Sequence, residues 1–312
     1  MDVPKLIDRD LLVRRRNRHA SGMADVRFLL DRVMDDVVER IAFVNRTFSD
    51  VLALGAYGGE TRARLRDVLP EAKIVEADAA LNLLSHPTDS ASVLADEEAL
   101  PFEADSFDLV VAPLTLHLTN DLPGALAQLQ TVLRPDGLLL GAILGGRTLE
   151  ELADAMLTAE AELLGTGSLR VVPKTEVRPL GALLQRAGFA LPVVDGDLVT
   201  VTYPTPIDLM REIRAMGASN MLVERSRVPM TRGLLMRACE IYVERYGTPD
   251  GRVAATFEVL VLTGWAPHPD QQKPLKPGTA THRLADALGV PEQTTGQKAL
   301  QTVAPQSRPK GR

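Results

Sequence analysis

Val51-Leu-Ala-Leu-Gly-Ala-Tyr-Gly-Gly59 is the stretch on which the fold turns. An apolar run enters a small, glycine-rich turn, and a helical segment, Glu60-Thr-Arg-Ala-Arg-Leu65, follows it. Strand, tight turn and helix N-terminus together form a nucleotide-binding corner, because glycine lets the backbone approach a ligand closely. About twenty residues on, a second strand ends on Asp78, a carboxylate placed to accept hydrogen bonds from a ribose. The glycine spacing G-x-x-G-G departs from the G-x-G-x-x-G of dinucleotide sites. It points to a ligand with one ribose and no phosphate.

Outward from this corner, strands and helices alternate. Strands are predicted at Ser49–Leu54, Lys73–Ala77, Ser92–Ala95, Ser106–Ala112 and Leu138–Leu144, with helices at Thr61–Val68, 79–86 and Leu122–Leu133. The last helix is read as stopping at a turn, Arg134-Pro-Asp-Gly137. This rhythm predicts an α/β fold with a doubly wound, mostly parallel sheet. Further helices are expected at 147–164 and 180–187. Asp197–Tyr203 and Thr256–Trp265 read as an antiparallel edge pair, separated by a mostly helical insertion at 205–253. The expected organisation is a basic arm at 1–24, one domain over 25–266, and a disordered tail at 267–312 with a short helical piece near Leu284–Leu288.

A chain of 312 residues, 45% hydrophobic, buries a substantial core. Its net charge of −6 offers no electrostatic footprint for nucleic acid. Apolar runs fall far short of the roughly 20 residues a membrane span needs. The N-terminus carries no pattern of a secretion signal, and a single cysteine, Cys239, leaves no internal disulfide or cysteine-ligated metal site. A cytoplasmic setting is expected, with peripheral association at the inner face of a membrane left open. The cluster Arg14-Arg-Arg-Asn-Arg18-His19 is read as a solvated helix, or else as a lid over the ligand cleft or a contact to an acidic partner.

Ligands of an open parallel sheet bind beyond the carboxyl ends of its strands. The residues expected there are Gly55, Tyr57, Gly58 and Gly59, then Asp78, then Asp96 and Glu97, then Pro113. One carboxylate can hold both ribose hydroxyls, and a second can accept from an exocyclic adenine amine with Leu100 or Leu114 against the ring. Asp78 and Asp96 also read as simple helix or turn caps. His117 is the candidate general base, against the alternative of a satisfied histidine at a helix start. No histidine or carboxylate spacing suggests a metal, and no G-x-S-x-G elbow is present.

These residues resemble the class I S-adenosylmethionine-dependent methyltransferases over roughly 30–265. The likeness rests on the glycine loop, Asp78, Ala95-Asp-Glu-Glu-Ala-Leu-Pro-Phe102, Phe107-Asp-Leu-Val-Val111 and Leu133-Arg-Pro-Asp-Gly137. Further segments, including Ile7-Asp-Arg-Asp10, Leu116-His-Leu-Thr-Asn-Asp-Leu-Pro123, Thr148-Leu-Glu-Glu-Leu152, Arg186-Ala-Gly-Phe189 and Met216-Gly-Ala-Ser-Asn220, narrow it. They are similar to the methyltransferase-like assembly factors of respiratory complex I, a family linked to arginine hydroxylation of an iron–sulfur subunit. The resemblance implies a seven-stranded sheet, S-adenosyl-L-methionine as cofactor, and a protein substrate. Methyltransferases that esterify malonyl-carrier protein share fewer of these segments.

The family loop reads Asp-Leu-Gly-x-Gly-x-Gly; here Ala53 replaces the acid and Tyr57 the middle glycine. Three functions stay open on the residues alone: a protein-modifying enzyme, a non-catalytic assembly chaperone, and a small-molecule or carrier-protein O-methyltransferase. Met210, Met216, Met221 and Met230 in the insertion are candidates for substrate or partner contact, or else for core filling.

Overall fold

The chain's structure, a computed structural model, describes residues 5–85, 91–172, 176–227, 229–271 and Gly289. Residues 1–269 form one compact unit. The predicted tail and its helical piece at 284–288 lie outside the described residues, apart from the few up to 271 and Gly289.

Seven strands form one sheet: β1 (Asp50–Leu54), β2 (Lys73–Asp78), β3 (Ala91–Leu94), β4 (Phe107–Pro113), β5 (Leu133–Leu144), β6 (Ala190–Tyr203) and β7 (Val253–Trp265). Their order is β3-β2-β1-β4-β5-β7-β6. The first five run parallel, whereas β7 is antiparallel to both β5 and β6. This is the expected doubly wound sheet with its antiparallel edge pair. The winding reverses between β1 and β4, which opens a crevice at their carboxyl ends.

Both faces of the sheet are covered, which is why β1, β4 and β5 read as unbroken apolar runs. Alternation sends Val51 and Ala53 to one face, against α2 (Phe28–Phe43), α5 (Glu150–Leu164) and α8 (Arg232–Tyr246). Leu52 and Leu54 go to the other, against α4 (Leu122–Val132) and α6 (Val177–Arg186). Two further helices, α3 (Glu60–Val68) and α7 (Pro206–Ala215), complete these layers.

Two local expectations are corrected. Residues 79–86 do not form a helix; over the described part, up to Ser85, only the short turn Leu81–Leu83 is helical. Its backbone is bent instead onto Asp78 and Glu76, whose carboxylates accept from Ala80 and Ser85 amides. Arg134-Pro-Asp-Gly137 is not a turn ahead of a strand but an irregularity within β5, which begins at Leu133 directly after α4. Asp136 adopts φ 64° there, and the neighbouring chain supplies partners: Asp136 N donates to Ala266 O, and Ala266 N to Gly137 O.

Residues 9–19 form a helix, α1 (Arg9–His19), whose first turn is capped by the Asp8 carboxylate accepting from Leu11 N. The helix is tied down at both ends. Ile7 pairs with Leu222 and exchanges hydrogen bonds with the Asn120 side chain. Arg15 donates to the carbonyls of Ser219 and Asn220 at 2.7 Å each.

Candidate cofactor and acceptor site

The glycine loop follows β1 with three consecutive left-handed residues: Tyr57 at φ 49°, Gly58 at 75° and Gly59 at 91°. Gly55 is also left-handed, and a Cβ there would lie 2.4 Å from Thr115 Cγ2. At Gly59 a Cβ would stand 2.7 Å from Ser85 Cβ, whereas at Gly58 it would meet nothing within 4 Å. The loop is therefore closed on two sides and open on one. Thr61 pins it by donating to Gly55 O at 2.7 Å, and Gly55 N donates to Ala77 O across to β2. Tyr57 reaches across the mouth, its hydroxyl donating to Leu114 O at 2.8 Å. Burial pushes that phenol's pKa up, so it stays protonated.

Asp78 is fully buried at the end of β2. It accepts from Ala56 N at 3.1 Å and Ala80 N at 2.8 Å, and from the Arg16 guanidinium at 3.2 Å. Arg16 comes from α1, is itself buried, and lies with its guanidinium carbon 5.1 Å from the centre of the Tyr57 ring. Burial presses hardest against its charge, but Asp78, Tyr57 and Glu97 together outweigh it, and its pKa sits above the ordinary value.

Two helical turns earlier on the same face, Arg9 pairs with Asp96 at 2.6 Å and with Glu97. Burial again opposes this guanidinium, and the Glu97 and Asp96 charges again outweigh it. Glu97 is almost fully buried, whereas the Asp96 side chain keeps 40% exposure. Glu98 fixes the following turn by accepting from the Asp121 and Asn120 amides at the start of α4.

Beside this cleft lies an apolar cavity of about 270 Å³. Its walls come from Leu144, Leu149, Met156 and Phe257, and from Met210, Met216, Met221 and Met230 of the insertion, whereas Met236 of the same insertion is exposed. Its polar lining is His117, Thr148, Arg170, Ser219 and Asn220, with no carboxylate among the described lining residues. Arg170 is already held by Glu160. A smaller cavity of about 100 Å³ adjoins it, lined by Arg16, Tyr57, Leu114 and His117. His117 borders both, and also a third pocket reaching Asn120 and Pro123.

The sequence-predicted residues thus gather at one edge of the sheet. Gly55, Tyr57, Gly58 and Gly59 follow β1, Asp78 ends β2, Asp96 and Glu97 follow β3, Pro113 ends β4, and His117 lies just beyond. Pro113 is buried, its carbonyl lying under the loop 3.5 Å from where a Gly55 Cβ would sit. Arg9 and Arg16 went unrecognised individually, although their spacing of seven places both on one helical face. Among the described residues no cluster of ligating side chains is set to hold a metal ion. The donor set fits an adenosyl sulfonium cofactor: an open glycine, a ribose-type acid and an amine-type acid at successive strand ends.

Comparison with known proteins agrees with this geometry. Residues 52–141 match the family described as a methyltransferase domain. The chain is 39% identical to the mitochondrial arginine-hydroxylase NDUFAF5 of Danio rerio, over 88% of this chain and 87% of that protein. Identity to NDUFAF5 of Homo sapiens is 38%, over 88% and 81%. A malonyl-[acyl-carrier protein] O-methyltransferase of Halorhodospira halophila is 34% identical, over 83% and 88%. In fold, the chain is similar to the YcgJ protein of Bacillus subtilis, at a TM-score of 0.52 and 13% identity, covering 76% of this chain and 99% of that one. Sheet order, domain match and near full-length identity agree: the chain belongs to the S-adenosylmethionine-dependent methyltransferase superfamily, in the family of the NDUFAF5 arginine-hydroxylases.

Proposed function

We propose that this protein binds S-adenosylmethionine across the carboxyl ends of β1 to β3 and modifies a protein, an iron–sulfur subunit of respiratory complex I during its assembly. The observation that carries the reading is the set of carboxylates at successive strand ends beside an open glycine loop. In this reading Asp78 accepts from the ribose hydroxyls and Asp96 from the adenine amine, with Leu100 or Leu114 against the ring. A cofactor held by these residues would supply an electrophilic methyl group. The chain's own contribution is position: closely held reactants gain much of their rate from orientation alone. His117, at the junction of cleft and cavity, is placed to take a proton released by an acceptor. The acceptor class follows the relatives whose name is arginine-hydroxylase.

A second reading, methyl transfer to a carrier-bound acyl group, is favoured by one observation. Among the described residues the cavity wall carries no carboxylate to complement a guanidinium, and apolar side chains dominate it. Among the described residues no helix is long and apolar enough to cross a membrane.

Calorimetry with S-adenosylmethionine tests the common step. Binding by the wild type and its loss in Asp78→Asn support the site, and silence at millimolar cofactor leaves only a chaperone role. Mass spectrometry of complex I subunits, with and without the gene, then separates the acceptors. A modified arginine that vanishes with the gene supports the first reading, and unchanged subunits with a methylated carrier support the second.

A further inference from the structure

The buried pair Arg16–Asp78 raises a problem that the cofactor reading alone leaves open. Asp78 is fully buried, and Arg16 and Tyr57 lie over it. A ribose cannot reach that carboxylate while Arg16 holds it. Asp96 differs: among the described residues, the hydrogen bonds its carboxylate accepts, from Arg9 and from Glu98 N, both fall on Oδ1, and the side chain keeps 40% exposure. The adenine end of the cleft is reachable as it stands. The ribose end requires an exchange.

Arg16 must also end the exchange with an anion. A guanidinium this deeply buried destabilises the fold through lost hydration unless a charge and hydrogen bonds replace the water. Asp78 is the carboxylate it touches. It borders the cavity of about 100 Å³ shared with Tyr57, Leu114 and His117, on the side of the cleft toward the acceptor cavity. The Tyr57 ring beneath the guanidinium keeps it within that space, since a flat cation is attracted to the ring face. The site also lacks polarity where the family loop carries it: Ala53 is fully buried in the apolar core and can hold no amino group.

Resting on the cofactor reading above, we propose that Arg16 is a cofactor-binding residue. It passes from Asp78 to the α-carboxylate of the methionine half when the ribose takes Asp78. The arginine on Tyr57 then holds the amino-acid end through its negative group. Recognition is thereby shifted from the ammonium to the carboxylate, and Tyr57, out of pattern as a loop residue, becomes the platform for this contact.

Two ligands separate this role from mere coverage of Asp78: S-adenosylhomocysteine, and 5′-methylthioadenosine, which has the same adenosine and sulfur but no amino acid. In calorimetry the wild type is expected to prefer S-adenosylhomocysteine by at least about tenfold, the scale of a charge-assisted hydrogen bond. Arg16→Gln is expected to lose about tenfold for S-adenosylhomocysteine while 5′-methylthioadenosine holds or tightens, so the preference collapses. Arg16→Lys is expected to keep part of it. A preference unchanged in Arg16→Gln, or both ligands tightening together, overturns the proposal while leaving the cofactor site intact. If Arg16→Gln does not fold, a wild-type preference near one is sufficient to overturn it. Failure of both ligands to bind wild type and variants removes the cofactor reading itself, and this proposal with it.

Discussion

The Arg16 guanidinium rests on the Tyr57 ring at 5.1 Å, joining the N-terminal helix to the glycine loop. Two features that look unrelated along the chain, a basic run and an irregular loop residue, are one contact in space. The same guanidinium closes on Asp78, so helix, loop and strand end meet at a single buried charge.

Breaking that pair from either side is expected to be costly. Arg16→Ala or Asp78→Ala each leaves one buried, uncompensated charge, which destabilises a fold by about 3–5 kcal/mol. The double variant should lose clearly less than the sum, because neither orphan remains. Denaturant melts of all four proteins measure this, and additive losses would show that the two side chains do not depend on each other.

The two adjacent glycines should respond differently. Gly59→Ala combines a left-handed backbone with a Cβ 2.7 Å from Ser85 Cβ, so a loss of roughly 2–3 kcal/mol is expected, with distortion of the loop. Gly58→Ala carries only the backbone strain, about 1 kcal/mol, since its Cβ meets nothing. Equal melting temperatures for the two would contradict the packing described.

Glu160 gives a pH test away from the cleft. Burial pushes its carboxyl up, but the Ser168 amide and hydroxyl and the Arg170 guanidinium outweigh that, leaving the pKa below its ordinary 4.5. A carboxyl depressed on folding stabilises the protein above its unfolded pKa and loses that contribution as pH falls through the folded one. Glu160→Gln should therefore melt below wild type at pH 7, with the gap narrowing below about pH 4.5. A gap independent of pH between 7 and 3 would mean that the charge contributes nothing.

Met210 lines the large cavity but not the smaller one beside Arg16. Met210→Lys places a charge in apolar surroundings on the acceptor side alone. Cofactor affinity should stay within about twofold, and acceptor modification should fall at least tenfold, the scale of one poorly solvated charge. Parallel calorimetry and mass spectrometry decide it, and a matching loss of cofactor affinity would place the cavity's role elsewhere.

Much of the site is legible along the chain because it is built from strand ends. Gly55, Gly59, Asp78 and Asp96 follow apolar runs whose length and spacing announce a parallel sheet, and such a sheet brings its carboxyl ends together. The helix expected at 79–86 fails for a local reason, since the Asp78 and Glu76 carboxylates bind the backbone that helical bonds would have used. The Arg134-Pro-Asp-Gly137 segment misleads in the opposite sense. Proline and glycine look like punctuation until Ala266, just past the end of β7, supplies hydrogen bonds that carry the chain through the irregularity into the rest of β5.

By itself, then, the order of residues determined the alternating fold, the glycine-rich corner and the acids at the neighbouring strand ends, because each depends on periodicity and on residues close together in the chain. Only the tertiary structure decided what α1 does. Arg9 meets Asp96 across 87 positions and Arg16 meets Asp78 across 62, and a run of arginines looks the same whether it faces water or a buried carboxylate. What separates the two is where the neighbouring segments anchor the helix. Ile7 on Leu222 and Arg15 on the Ser219 and Asn220 carbonyls lay it across the cleft, and burial then turns ordinary surface charges into the contacts that close it.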